Sequence, residues 1–254
     1  YMRTDSTRVS AETAATARTW ALENFGDRYV PASPRLWTGK QQKGAQEAHE
    51  AIRPTDPTRT PESVKDDLDP DQFRLYQLIW LRFIASQMAP AVYDTTTIDF
   101  PVRGKNAPAG GGSRLYLFRA TGSVMKFDGF TRLYTEAREE GDHRTLDDLA
   151  PLPALEAGQA CTVIELVPAQ HFTQPPPRFS EASLVKELEK LGIGRPSTYA
   201  QIISTLVDRE YVKLEQKRFY PTPLGETVVQ LLVRLFPQLF DVGFTSEMEA
   251  ELDR

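Results

Sequence analysis

The residues predict a multidomain α+β protein, and three observations carry that expectation. Apolar residues recur at helical spacing up to about residue 90, and again from 179 to 254. Between them, from 91 to 178, the pattern is threonine- and valine-rich and strand-like. The run Pro175-Pro176-Pro177 stiffens the chain where the pattern changes for the second time. With 254 residues, the chain is long enough for two or three cores. The expected divisions are a mainly helical 1–90, a small β domain over 91–178, and a helical 179–254.

The first helix is expected from a Ser10 cap to about Phe25, rich in alanine and ended by Gly26. A proline-rich stretch over 29–34 and a polar loop with Lys40, Lys43 and Gly44 follow. A second helix has a strong start: Asp69 as cap, Pro70 at the first helical position and Gln72 at the third. Its Phe73, Tyr76, Trp80, Phe83 and Ile84 fall at helical spacing and read as core. Residues 92–102, 115–127 and 160–167 read as strands. The loop 105–113 holds three glycines but lacks the Gly-Lys-Ser/Thr ending of a P-loop, so no nucleotide is expected there. The acidic run 136–142 reads as a solvated turn or helix end.

In the last stretch Ser180 caps a helix whose apolar face is Leu184, Val185, Leu188 and Leu191. Gly192-Ile193-Gly194 turns the chain, and Pro196 opens a helix that buries Tyr199, Ile202, Ile203, Leu206 and Val207. Strands over 211–214 and 218–221 are joined by the polar turn Glu215-Gln216-Lys217. A third helix from about Leu224 carries Val228, Leu231, Leu232 and Leu235. Helix, turn, helix and β-hairpin is the order of a winged helix.

Composition excludes several classes. Hydrophobic residues at 40% and charged residues at 26% suit a globular protein rather than a disordered one. No apolar run approaches the roughly 20 residues of a membrane span, and no secretory leader is visible. The lone Cys161 has no partner for an internal disulfide, which fits a reducing compartment; within Cys161-Thr162-Val163-Ile164 it reads as a small core residue. A net charge of −5 gives no diffuse positive field, so contacts to nucleic acid must come from local clusters. The carboxylates Asp66, Asp67, Asp69 and Asp71 lack the glycine and terminal glutamate of a calcium loop, and no metal is expected there. Because the first residue is Tyr1 rather than Met, the chain reads as an excised piece of a longer protein.

Three constellations point to chemistry. In the opening Tyr1-Met2-Arg3-Thr4-Asp5-Ser6, an extended backbone would place Tyr1, Arg3 and Asp5 on one side. A phenol nucleophile, a guanidinium for phosphate oxygens and a carboxylate to orient a proton carrier would suit attack on a phosphodiester. Three polar residues on a solvated edge strand are the plain alternative. His49, flanked by Glu47, Glu50 and Arg53, is suited to pass a proton near neutral pH. Arg195-Pro196-Ser197-Thr198 stands where a helix begins, so it either holds a phosphate or merely serves the helix start; Arg209 would extend a backbone-binding track.

Together these segments resemble the type IA DNA topoisomerases. The resemblance rests on Tyr-Met-Arg-Thr-Asp-Ser at 1–6, Ala-His-Glu-Ala-Ile-Arg-Pro-Thr at 48–55, and the block from Leu184 to Ala200 containing Gly-Ile-Gly-Arg-Pro-Ser-Thr-Tyr-Ala. It covers essentially the whole chain, and the first two blocks look more like bacterial topoisomerase I than topoisomerase III. The resemblance implies that 1–90 is part of a catalytic-tyrosine gate domain, 91–178 a β-rich arch and 179–254 a winged-helix-like single-strand-binding domain, all within a toroid. It implies Tyr1 as nucleophile, Arg3 on the scissile phosphate, and His49 and Asp5 assisting proton movement. Arg195, Ser197, Thr198 and Arg209 would contact DNA. The implied activity is transient cleavage of one strand through a 5′-phosphotyrosine link, strand passage and resealing without ATP, relaxing negative supercoils. Mg²⁺ would be bound by an N-terminal TOPRIM domain that this chain lacks, so the chain itself would hold no metal and the fragment alone would be inactive. The partner would be single-stranded DNA, the protein a cytoplasmic monomer with no membrane contact.

Rival readings differ in testable ways. Tyrosine recombinases also use tyrosine, arginines and histidine on DNA, but there the tyrosine follows its helpers in sequence. A non-catalytic winged-helix DNA-binding module would keep all activity without Tyr1. A protein-interaction scaffold would show no affinity for single-stranded DNA at low salt.

Overall fold

The computed structural model describes residues 2–4, 6–37, 49–104, 115–135, 146 and 149–252. The chain forms two compact units. One comprises 1–11, 36–53 and 175–254; the other comprises 12–35 and 54–174. Helices and two small antiparallel sheets make a mixed α/β composition.

The unit of 12–35 and 54–174 is built on two helices, α1 (Ala11–Phe25) and α2 (Pro70–Ser86). α1 buries Ala14, Ala17 and Ala21, three and four residues apart, so its inner face is made of methyl groups. Trp20 meets Trp80 of α2 edge-on, with ring centroids 4.6 Å apart. α2 begins as its sequence requires. Asp69 accepts from the Asp71 and Gln72 amides at 3.0 and 2.9 Å, and Gln72 accepts from the Asp69 amide at 3.2 Å. Trp80, Phe83 and Ile84 are buried, while Phe73 and Tyr76 are half-buried nearer the start. The Trp80 indole donates to the Pro57 carbonyl at 2.9 Å. Past the helix, Gln87 has no exposed surface and pairs with the backbone of Arg35. It accepts from the Arg35 amide at 3.2 Å and donates to its carbonyl at 2.8 Å.

β1 (Val92–Arg103) and β2 (Leu115–Phe127) pair antiparallel, with Ile98 opposite Ala120 and Asp99 opposite Arg119. The Asp99–Arg119 pair is bidentate, at 2.6 and 2.9 Å. At Gly122 the later chain crosses β2 so closely that a Cβ would fall 2.6 Å from Leu152 Cγ. Tyr29 donates to Asp128 Oδ1 at 2.7 Å, tying the end of the first helical region to the turn after β2.

Two expectations for this region fail. Residues 160–167 join neither sheet, and Ile164 is 99% exposed. Cys161 is exposed as well, not a core residue. Strand propensity expresses how well a side chain packs on a pleated surface, and a β-prone run with no adjacent edge stays irregular.

The other unit carries the winged-helix order. α3 (Glu181–Leu191) starts at Ser180, whose hydroxyl accepts from the Ser183 amide at 3.0 Å, and Ser183 accepts in return from the Ser180 amide at 2.8 Å. It ends at Gly192 in the left-handed conformation, φ 73°. α4 (Tyr199–Asp208) follows, then β3 (Val212–Glu215) and β4 (Arg218–Pro221). The hairpin is tighter than its polar composition suggests. Glu215 pairs with Arg218, leaving a two-residue loop in which Gln216 and Lys217 have φ 48° and 61°. α5 (Pro223–Leu235) is capped by Thr222, which accepts from the Gly225 amide at 3.1 Å and donates to the Glu210 carbonyl at 2.6 Å. The Phe219 amide donates to the Phe179 carbonyl at 2.8 Å, fastening the hairpin to the residues before α3. A last helix, α6 (Val242–Leu252), lies beyond the expected elements.

Candidate active site and nucleic-acid interface

Two short segments far apart in sequence come together at the head of the chain. Met2 and Glu50 form a parallel bridge, and the Arg3 amide donates to the Glu50 carbonyl at 2.9 Å. The Ala51 amide donates to the Arg8 carbonyl at 2.8 Å, and the Ser6 hydroxyl donates to the His49 carbonyl at 2.8 Å. Three backbone groups at His49, Glu50 and Ala51 thus find partners in the opening segment, which is how irregular chain is held in a fixed place. Arg3 is half-buried and His49 is 5% exposed.

Thr4 departs from the extended backbone expected of the opening residues. The Ser6 amide donates to the Arg3 carbonyl at 3.4 Å, and Thr4 lies in a turn. Tyr1 and Asp5 lie outside the described residues, as do Glu47 and the expected loops at 105–113 and 136–142. The carboxylate of Glu50 is engaged by Arg53, at 3.0 and 2.7 Å, in a pair whose side chains are 20% and 15% exposed. Sequence reasoning missed Ser6 and Arg8 as the residues that fasten the His49 segment; a serine beside charged residues looks like any solvated hydroxyl.

The Arg195 region also departs from expectation. α4 opens at Tyr199, not at Pro196; residues 196–198 form a turn before it. The Thr198 hydroxyl accepts from the Arg195 amide at 2.8 Å and donates to the Arg195 carbonyl at 3.0 Å, closing that turn. Proline at 196 is compatible with helix and turn alike, so the start signal is ambiguous by three residues. Ser197, Thr198 and Arg209 are exposed. The Arg195 guanidinium is turned onto α6. Its Nη1 donates to Glu249 Oε2 at 2.7 Å and to the Gly194 carbonyl at 2.7 Å, and its Nη2 donates to the Glu249 carbonyl at 3.1 Å. Glu249 Oε1 accepts from the Gly194 amide at 2.9 Å. Burial pushes the Tyr199 phenol up from its ordinary value, with the Glu189 and Glu249 charges adding and Arg195 opposing. That phenol stays protonated at neutral pH.

Among the described residues no group of three or more His, Cys, Asp or Glu is gathered to hold a metal ion. Asp69, in the densest run of carboxylates, serves as a helix cap. No described helix is long and apolar enough to cross a membrane.

A family model described as DNA topoisomerase matches residues 1–254. The chain is also similar to the full-length topoisomerase I of Thermotoga maritima, with 35% identity and a TM-score of 0.69. The match covers 100% of this chain and 38% of that one.

Proposed function

Because the chain belongs to the bacterial type IA DNA topoisomerase family, we propose that it supplies the nucleophile and part of the DNA-binding groove for transient cleavage of one DNA strand. Tyr1 is the nucleophile. Its phenol, with an ordinary pKa of about 10, loses its proton as the oxygen attacks a backbone phosphorus; a 5′-phosphotyrosine bond forms and the 3′-oxygen leaves, taking up a proton. Arg3 offsets the charge that grows on the phosphate oxygens. His49 and Asp5 move the protons. The bond energy of the phosphodiester is kept in the link, so the 3′-hydroxyl reseals the strand without ATP. Passage of another strand through the gap relaxes negative supercoils.

The observation that supports this reading is the ladder joining Arg3 to Glu50 and Ser6 to His49. It sets two chemically matched segments side by side although more than forty residues separate Ser6 from His49. Arg195, Ser197, Thr198 and Arg209 extend the reading to a groove for single-stranded DNA on the winged-helix-like segment. The functional divisions are the gate over 1–90, the arch over 91–178 and the binding domain over 179–254, within a cytoplasmic, monomeric toroid. Among the described residues no donor set for a metal is gathered. Mg²⁺ belongs to the TOPRIM domain that the resemblance assigns outside these residues.

Replacement Tyr1→Phe in the complete protein tests the reading. Expected are loss of the covalent DNA adduct and of supercoil relaxation, with affinity for a single-stranded oligonucleotide retained. Full relaxation by Tyr1→Phe would favour a non-catalytic DNA-binding module instead.

A further inference from the structure

We propose that Glu249 of α6 is a built-in stand-in for a DNA backbone phosphate, and that α6 is a latch which DNA must open. The inference rests on the reading of Arg195 as a phosphate contact. Three donors converge on this one residue: the Gly194 amide on Oε1, and Arg195 Nη1 and Nη2 on Oε2 and the main-chain carbonyl. A backbone amide beside a guanidinium is an anion cradle, and a carboxylate presents it with two oxygens sharing one charge, as a phosphodiester does. The cradle is reachable, since the Arg195 and Glu249 side chains keep 33% and 22% of their surface exposed.

A second contact fixes α6 against the same turn. Ser246, three residues before Glu249 and therefore on the same side of the helix, sits where a Cβ on Gly192 would come within 2.8 Å of its hydroxyl. Arg195 both neutralises the Glu249 carboxylate and donates to the Glu249 carbonyl. A phosphate that takes Arg195 removes both, so DNA binding and release of α6 are one event. None of the residues of α6 is buried, and an element with little buried surface belongs to the low-stability part of a fold, where moving elements are found.

The test uses the complete protein and a fluorescent single-stranded oligonucleotide at fixed low salt. Glu249→Gln keeps an acceptor for the Gly194 amide but loses the charge, and is expected to tighten binding by about 3- to 10-fold as the closed fraction falls. Unchanged or weaker binding overturns the latch and makes Glu249 a support for Arg195. In the unsubstituted protein, amide hydrogen exchange over 242–252 should speed up when the oligonucleotide is added; unchanged or slowed exchange also overturns it. Arg195→Ala separates the two ideas. If it leaves affinity unchanged, the phosphate-contact reading itself fails and the latch with it. If it weakens binding while Glu249→Gln does not strengthen it, only the latch fails.

Discussion

Gln87 behaves as a peptide group on a side chain, with its amide exchanging two hydrogen bonds with the backbone of Arg35 at full burial. Gln87→Met keeps the volume and removes both bonds, and should lower stability by about 2 kcal/mol in urea unfolding. Nothing in the sequence marks this residue, because its partner is main chain 52 positions away. Asp128 makes a second residue-scale case. The Tyr29 hydroxyl holds its carboxyl below the ordinary value, helped by its own backbone amide and by Arg132 and opposed by slight burial. A depressed carboxyl stabilises the fold above its unfolded value of about 3.9 and loses that contribution as pH falls through the folded value. Tyr29→Phe should therefore move the Asp128 titration upward in carboxyl NMR and weaken the acid dependence of unfolding. At the candidate site, the residue types are legible from the blocks Tyr1–Ser6 and Ala48–Thr55, whereas the fastening of His49 by Ser6 is not. Residue type advertises chemistry; a hydroxyl donating to a distant carbonyl leaves no local trace.

At the scale of elements, the start of α2 shows how far local chemistry reaches. Asp69, Pro70 and Gln72 form a signal complete within four residues, and the structure realises every part of it. The irregular 160–167 shows the converse, since a strand depends on an edge that no local pattern can supply. The start of α4 falls between, because proline at 196 fits both a first helical turn and the turn that precedes one. The β3–β4 hairpin yields a prediction of its own. Its two-residue loop holds Gln216 and Lys217 at positive φ, a conformation that costs a side-chain-bearing residue about 1 kcal/mol or more. Lys217→Gly should raise the urea midpoint without changing the register of Glu215 and Arg218. Thr222→Ala should do the reverse by about 1 kcal/mol, since it removes the cap of α5.

Across the 254 residues, the net charge of −5 means that the proposed DNA affinity must come from local clusters working against the overall field. On that proposal, binding to single-stranded DNA should fall steeply with salt, and the slope should become shallower when Arg209, proposed to contact phosphate, is replaced by alanine. On the same scale, the purified 254-residue chain is expected not to relax a supercoiled plasmid with Mg²⁺ present; relaxation would show that the chain needs no TOPRIM domain. The alternation of the path between the units also sets an order of events during synthesis. The unit of 12–35 and 54–174 has all its residues once position 174 has left the ribosome, whereas its neighbour must leave its first pieces waiting for 175–254. At about 5–20 residues per second, that wait lasts roughly 4 to 16 s. Throughout it residues 2–11, 36–37 and 49–53 are held by the few bonds among themselves, Val9 to Leu36 and Ser6 to His49 among them.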